Sequence, residues 1–250
     1  MQRTAHFIMQ GKGGCFKSGT SSLVAQYLTT MASALIQCFD TDPVNRTFSR
    51  ITSLGVQGVE LLNNHQQIAT REFDTLIGRI LDHSGHTVTD TGASVFVPLK
   101  SYLVQSDALG LLVDEGIRPI IHVPLLGGLD FVETANGLQD ILEDLPAADI
   151  VAWCNPYHGP VEHEGRGIEQ SQLYLQNRHR FAGIVHMMEL DPHTFGQDYA
   201  EMRSDGLTYA EAVQHSAYSP VARRRLARVW AYYCNALDGL DIGQKAAVAA

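Results

Sequence analysis

Short apolar runs alternate with amphipathic segments along the first three quarters of the chain. The runs have strand length and predict β-strands over residues 5–9, 35–39, 86–89, 117–123, 149–154 and 181–187. Apolar residues with helical spacing predict helices over residues 18–31, 73–82, 99–115 and 129–145. Pro119 predicts that the fourth strand is irregular or lies at a sheet edge, because proline cannot donate a ladder hydrogen bond.

From about residue 190 the pattern becomes helical. Thr208 and Glu211 have capping-box spacing, Ser219 followed by Pro220 is typical of a helix start, and Gly239 is a typical helix stop. Strands that alternate with helices predict an α/β fold of three layers, in which helices cover both faces of a mostly parallel sheet. No repeat or linker interrupts residues 1–250, which predicts a single domain.

Charge is distributed unevenly along the chain. Its 250 residues include 27 acidic and 18 basic side chains, and the formal net charge of -9 argues against bulk nucleic-acid binding. Residues 1–39 contain Arg3, Lys12 and Lys17 but no acid, and Asp40 is the first carboxylate. Two of the four lysines therefore stand five positions apart in one glycine-rich segment.

The cysteines and the short apolar runs bear on location. Cys15, Cys38, Cys154 and Cys234 lack CxxC spacing, which argues against a zinc knuckle or redox pair and favours reduced thiols. The apolar runs are too short to cross a bilayer, and none resembles a signal peptide. We therefore expect a cytoplasmic protein without a membrane span.

A glycine-rich loop follows the first predicted strand and precedes the first predicted helix. Gly11, Lys17 and Ser18 fit the phosphate-binding pattern G-x-x-x-x-G-K-[ST], whereas Phe16 replaces its second glycine. Small residues let backbone N–H groups close around a phosphate, and the helix N-terminus adds positive potential. Lys17 would neutralise phosphate oxygens and Ser18 would coordinate Mg²⁺. The alternative is a glycine turn with two solvated lysines.

Carboxylates follow the next two strands, at the sheet edge where ligands bind in such folds. Asp40 and Asp42 straddle the end of the second strand, where one can organise a metal shell and the other can orient water. Asp90 follows the third strand and is expected to hold Mg²⁺-bound water, with Thr91 and Ser94 placed to sense a terminal phosphate. The alternatives are ordinary strand-end turns, with Asp42 capping a helix.

Asn155 follows a later strand and precedes Pro156. Its carboxamide can donate to and accept from the edge of a nucleotide base. An Asn-Pro turn explains the same two residues equally well, so the pattern leaves both interpretations open.

These segments together resemble a known class of proteins. The strings KGGxxKS at 12–18, DTDPVN at 40–45 and DTGAS at 90–94, with Asn155, resemble the deviant-Walker-A ATPases of the ParA/MinD class. The longer strings CFDTDPVNRTFS at 38–49, GASVFVPL at 92–99 and WCNPYHGPVEHEG at 153–165 resemble the TraL-type (StbC-like) nucleotide-binding proteins of conjugative plasmids. The resemblance covers nearly the whole chain.

The resemblance implies a P-loop NTPase fold and a slow, Mg²⁺-dependent ATPase that acts as a switch in plasmid transfer, partition or stability. Lys12 would reach across a nucleotide-sandwich homodimer to the partner's phosphates, Lys17 would serve its own site, and Asp42 would position the attacking water. The expected nucleotide-binding residues are Gly11, Gly13, Gly14, Lys17, Ser18, Gly19 and Asn155. The expected metal-binding residues are Ser18, Asp40 and Asp90. Partners would be proteins of plasmid transfer or stability.

Phe16 departs from the family pattern. The loop requires either space or a positive φ at this position, and phenylalanine supplies neither readily. We therefore hypothesise that Phe16 weakens ATP binding. One rival function is therefore a nucleotide-independent scaffold that has lost tight ATP binding through Phe16. A separate alternative is an iron–sulfur or metal carrier of the wider class, which would need a thiol pair that no cysteine spacing here indicates.

Two further charged clusters have simple explanations. His158, Glu162, His163 and Glu164 match no metal-binding spacing and predict a polar loop or partner surface. The basic run at 223–228 predicts a solvated helix face, or cations that compensate acids elsewhere. A small DNA or partner contact is the alternative for this run.

Overall fold

The computed structural model describes residues 2–30, 35–43, 45–62 and 68–243. Within these residues seven strands form one parallel sheet in the spatial order β3-β2-β4-β1-β5-β6-β9. Its strands are β1 Arg3–Ile8, β2 Ile36–Asp40, β3 Gln57–Gly58, β4 His86–Asp90, β5 Ile117–Leu126, β6 Asp149–Asn155 and β9 Phe181–His186. A separate antiparallel pair consists of β7 Glu162–His163 and β8 Arg166–Gly167.

Helices cover both faces of the large sheet, as the alternating pattern predicts. They are α1 Lys17–Thr30, α2 Glu72–Asp82, α3 Phe96–Gln105, α4 Ala108–Asp114, α5 Phe131–Asp144, α6 Gln172–Asn177, α7 Phe195–Ser204, α8 Tyr209–Gln214 and α9 Pro220–Asp238. Buried side chains of α2 to α5 form one core against the sheet, and those of α1 and α7 to α9 form a second core. The three-layer α/β prediction is confirmed.

Two predicted elements are wrong in detail. The helix predicted over residues 99–115 is two helices, α3 and α4, because Asp107 takes a left-handed conformation with φ 45° and breaks the first. The strand with Pro119 is neither irregular nor an edge strand: β5 lies between β1 and β6. The pairing with β6 begins only at Ile120, so Pro119 precedes that ladder while it lies opposite Ala5 of β1.

The predicted end signals of the last helices are confirmed. The Thr208 hydroxyl accepts from the Glu211 N–H, and the Glu211 carboxylate accepts from the Thr208 N–H, which completes the capping box. Ser219 caps α9, Pro220 is its first residue, and Gly239 is its C-cap. No helix among the described residues is both long and apolar enough to span a bilayer. Residue 31, where the first predicted helix ends, lies outside the described residues.

A chain of buried polar side chains crosses the sheet from β6 to β4. Trp153 donates its indole N–H to Nδ1 of His122 at 3.0 Å, so the proton of His122 lies on Nε2. That nitrogen is 2.9 Å from Nδ1 of His6, whose Nε2 is 2.7 Å from the Thr4 hydroxyl. Thr4 in turn lies 2.6 Å from Nδ1 of His86. Each donor meets one acceptor only when the three imidazoles are neutral.

Candidate functional site

The carboxyl ends of β1, β2 and β4 surround a cavity of about 490 Å³. This volume lies in the range of small-molecule sites. The cavity is lined by the glycine-rich loop and α1 start (Gly13, Gly14, Cys15, Phe16, Lys17, Ser18 and Gly19), the segment after β2 (Asp42, Asn45 and Thr47), the segment after β4 (Thr91, Ala93 and Ser94), and Arg203 of α7. Most of the chemistry predicted from separate strand ends therefore meets in one place.

The glycine-rich loop presents open backbone to this cavity. Gly13 and Gly14 are exposed, and a Cβ built on either would meet no atom within 4 Å. Gly14 takes a φ of +72°, which glycine adopts without strain. Gly11 lies at the base of the loop, where a Cβ would come within 3.1 Å of the Phe96 ring. This open loop at the start of a helix suits an anion such as a phosphate group.

Lys17 carries a buried positive charge into the loop. Its Nζ donates to the backbone oxygen of Lys12 at 2.8 Å and lies 3.6 Å from Sγ of Cys15. Among the described residues it forms no ion pair with a carboxylate. A buried cation without a carboxylate partner favours an incoming anion. Burial raises the pKa of the Cys15 thiol, although the Lys17 charge opposes that shift.

Asp90 lies just behind the loop at the end of β4. Oδ1 of this buried carboxylate accepts from the Ser21 hydroxyl at 2.8 Å, and the nearby Ser18 hydroxyl also favours the charged form of the carboxylate. Burial raises the pKa of Asp90 to about 7, and these hydroxyls only partly offset the effect. Asp90 therefore touches the start of α1, where the sequence predicts a metal site.

Asp40 lies beside Asp90 in the register of the neighbouring strands β2 and β4. It accepts from the Asp42 N–H at 3.1 Å and from the Ser49 N–H and hydroxyl at 3.0 and 2.9 Å. Burial raises the pKa of Asp40. Two buried carboxylates side by side gain from a nearby cation.

Asp42 borders the cavity, whereas Asp40 and Asp90 lie behind its wall. Its Oδ1 accepts from the Asn45 N–H at 2.9 Å, and its carboxyl carbon would be 2.7 Å from a Cβ on Gly92. Asp42 thus supports a turn, as the alternative interpretation holds, although no helix begins at Pro43 in the described residues. It remains accessible from the cavity.

The donor set suits Mg²⁺ that is shared with a phosphate group. Within the described ranges no three His, Cys, Asp or Glu side chains form a metal-binding group. Mg²⁺ usually keeps several waters and is held through one or two carboxylates plus substrate phosphates, so a closed protein cage is unnecessary. The Ser18 hydroxyl beside Asp90 meets that requirement.

Lys12 is turned away from the cavity. Its Nζ is 2.9 Å from Oδ1 of Asp130 and 2.8 Å from Oε2 of Glu133, on the segment that opens α5. Oδ2 of Asp130 is also 2.9 Å from Nδ1 of His158. The two carboxylates raise the pKa of Lys12, and Lys12 with His158 lowers the pKa of Asp130.

Asn155 does not line the cavity. This buried side chain accepts from the Tyr157 N–H at 3.0 Å and caps the short turn 156–158. The structure therefore places Asn155 in the Asn-Pro turn and assigns it no contact with the cavity. Its predicted role at the base of a nucleotide stays a prediction.

Phe16 has the left-handed backbone that its glycine-like position requires, with φ 77°. Its ring lies over Gly19 and is centred 5.8 Å from the ring of Tyr199 on α7. The expectation of a positive φ is confirmed. The ring forms a wall of the cavity and joins the loop to the C-terminal helices.

Sequence reasoning missed Arg203, Ser21 and Ser49. The two serines hold Asp90 and Asp40. Arg203 lines the cavity from α7, far along the chain from the loop, and no local motif marks it. In the basic run of α9, the expected pairing of cations with acids is confirmed for Arg225, whose Nη2 is 2.9 Å from Oδ1 of Asp198.

Comparisons with known proteins were made by sequence and by structure. No family model matches the chain. Two proteins from Escherichia coli, both named "Protein TraL", are 39% and 36% identical over 222 residues, which is 88% of this chain and 91% of theirs.

Solved structures share the fold at low sequence identity. The MinD cell division protein of Aquifex aeolicus has a TM-score of 0.52 at 11% identity, with 97% of this chain and 100% of that chain covered. A ParA family ATPase from Chlorobium tepidum has a TM-score of 0.52 at 10% identity, with 91% and 98% covered. MinD from Pyrococcus horikoshii, solved with Mg-ADP, has a TM-score of 0.51 at 13% identity, with 94% and 96% covered. These likenesses show that this chain has the same fold as the MinD and ParA proteins, the P-loop NTPase fold.

Proposed function

The chain belongs to the TraL family, and from that premise we propose that it is an ATP-binding switch that hydrolyses ATP slowly with Mg²⁺ and serves plasmid transfer or plasmid stability and partition. One observation carries the proposal: buried Lys17, with no carboxylate partner among the described residues, enters an open glycine loop in a 490 Å³ cavity. The same cavity is bordered by Asp42 and by the hydroxyl residues Thr91 and Ser94. Phosphate, metal and water therefore have candidate partners within one site.

The position of each residue in the site determines the role that we assign to it in ATP binding and hydrolysis. Backbone N–H groups from Gly13 to Gly19 hold the phosphates, and Lys17 neutralises the charge that develops as the terminal phosphate leaves. Ser18 and Asp90 would hold Mg²⁺, with Asp40 behind them. Bound Mg²⁺ supplies charge neutralisation at the phosphate oxygens. Asp42, at the edge of the cavity, orients the water that attacks.

Lys12 and its surroundings form the face for a second copy of the chain. Lys12 would exchange its own Asp130 and Glu133 for the phosphates of the partner subunit. Leu129 and Tyr157, both strongly exposed apolar side chains near these residues, support a buried contact there. The homodimer, a cytoplasmic location, and contacts with plasmid transfer or stability proteins complete the proposal. The basic run of α9 is the candidate surface for a DNA contact.

A nucleotide-independent scaffold is the rival function, and Phe16 is the observation that favours it. A phenylalanine held at φ 77° costs about 1–2 kcal/mol, and this strain lies in the loop that would hold the phosphates. The scaffold would show the same size and melting temperature with and without Mg-ATP.

Calorimetry and a phosphate-release assay on wild type and Lys17→Ala test the proposal. Wild type should bind Mg-ATP and release phosphate, and Lys17→Ala should lose both. Lys100→Ala is the matched control, because Lys100 pairs with Asp140 and Asp144 outside the cavity. Equal heats and equal rates for wild type and Lys17→Ala would exclude the ATPase and leave the scaffold.

A further inference from the structure

Arg203 brings a positive charge to the cavity from the C-terminal helices. It lies near the end of α7, is half-buried, and lines the same cavity as the glycine loop. No residue of the glycine loop or of the strand ends that follow supplies an arginine there. The charge is therefore an addition by a part of the chain that carries none of the recognised nucleotide-binding strings.

Two aromatic rings hold this guanidinium in place. Its carbon Cζ is 5.6 Å from the centre of the Phe16 ring and 5.9 Å from the centre of the Tyr199 ring. The Arg203 charge also interacts electrostatically with Tyr199. Arginine stacks on aromatic faces without losing its charge, so these contacts fix its position and leave its N–H groups available.

The surroundings of Arg203 leave that charge uncompensated. In the described part of the chain it forms no ion pair with a carboxylate, although Arg225 in the neighbouring α9 pairs with Asp198. Lys17, the other cation in the cavity lining, likewise forms no ion pair with a carboxylate in the parts of the chain that the structure describes. Of the side chains that line the cavity, Lys17 and Arg203 are positive and Asp42 alone is acidic, so the lining favours an anion that carries several charges.

We propose that Arg203 binds the phosphate groups of the nucleotide and is a second cationic contact beside Lys17. The planar guanidinium can donate two parallel hydrogen bonds to phosphate oxygens, and partial burial strengthens them. The inference rests on the proposed nucleotide-binding function and adds to it a residue from the C-terminal helices. The Phe16 ring helps to place Arg203, a contribution separate from the backbone strain through which we expect Phe16 to weaken binding.

Binding of Mg-ATP and Mg-ADP by calorimetry tests this role in the full chain. Arg203→Ala should raise the Kd for both nucleotides about tenfold, the size expected for loss of a charge-assisted hydrogen bond. Arg203→Lys should fall between wild type and Arg203→Ala, because lysine keeps the charge but not the two-pronged geometry. Arg79→Ala removes the same charge from an exposed position on α2, outside the cavity, and should bind as wild type does.

The outcomes separate this inference from the function on which it rests. If Lys17→Ala loses binding while Arg203→Ala stays within twofold of wild type, Arg203 has no such role and the proposed function stands. If wild type binds no nucleotide, the Arg203 inference and the proposed nucleotide-binding function are both wrong. Near-UV circular dichroism checks folding. Should Arg203→Ala lose its native spectrum, Arg203→Gln replaces it, since its stem still covers the rings while the charge is gone; wild-type affinity of Arg203→Gln overturns the inference equally.

Discussion

Phe16 and Gly19 share one space: a Cβ built on Gly19 would lie 2.3 Å from Cε1 of the Phe16 ring. The ring can lie over the start of α1 only because position 19 has no side chain. The unusual phenylalanine and the glycine three positions later are therefore one structural unit.

This relationship predicts strong coupling between the two positions. Gly19→Ala should lower the free energy of unfolding by about 1–3 kcal/mol, because the new methyl group overpacks against the ring. In a Phe16→Gly background the same change should be neutral or slightly stabilising, since alanine is favoured over glycine in a helix. Urea unfolding of the four proteins of the cycle gives the coupling energy.

Gly13→Ala is the matched control for that cycle. A Cβ on Gly13 meets no atom within 4 Å, and its backbone is not left-handed. Its effect on stability should be small and the same in both backgrounds. If the changes in unfolding free energy from Gly19→Ala and Phe16→Gly are additive, the two positions do not share one space.

Phe16→Gly should tighten Mg-ATP binding. Glycine takes the φ of 77° without strain, and loss of the ring opens one wall of the cavity, while Arg203 keeps its contact with Tyr199. Titration calorimetry should show a lower Kd. Phe16→Leu keeps the strained backbone and should not tighten binding. An unchanged or higher Kd in Phe16→Gly would end the hypothesis that Phe16 weakens binding.

The part of the site at the strand ends was predictable from the sequence. The glycine-rich loop, Lys17 and the aspartates all lie within a few residues of the end of a predicted strand. Arg203 was not predictable, since its position depends on how α7 packs on the loop, and that packing leaves no local spacing. The break at Asp107 has a similar cause: a single left-handed residue interrupts an otherwise helical apolar pattern. The prediction of an irregular or edge strand at Pro119 was wrong because the sequence alone does not show where the neighbouring strand begins.

The pairing of Lys12 with its own acids predicts a restraint on dimer formation. Asp130→Asn with Glu133→Gln should free Lys12 to reach a partner subunit and strengthen the Mg-ATP-dependent dimer severalfold. Raising the salt concentration should weaken these exposed pairs in wild type as well. Sedimentation velocity with Mg-ATP measures the dimer fraction.

Asp140→Asn with Asp144→Asn controls for the change in net charge. These carboxylates pair with Lys100, away from the cavity, so the control should dimerise as wild type does. Equal dimer fractions in the two double variants would show that the acids beside Lys12 impose no restraint.

The histidine chain inside the sheet predicts that stability falls as the solution is acidified. Burial lowers the pKa of His122 to about 3, and burial with His122, His86 and Arg118 lowers the pKa of His6. Burial also lowers the pKa of His86. Below about pH 6.5 the unfolded chain takes up protons that the folded chain refuses, so stability is present above that pH and is lost as the pH falls toward the folded-state values.

Each such proton contributes about 1.4 kcal/mol of unfolding free energy per pH unit. Between pH 5 and 6.5 the three imidazoles give up to three protons, and Asp90, with a folded-state pKa of about 7, offsets about one of them because the folded chain still holds its proton. Urea unfolding in this range should therefore give a net slope of up to two protons. His122→Asn keeps an acceptor for Trp153 but cannot titrate, so its slope should fall by about one proton. Exposed His179 supplies the control, and His179→Asn should leave the slope unchanged. A wild-type slope in His122→Asn would mean that protonation of His122 does not contribute to the acid sensitivity of the fold.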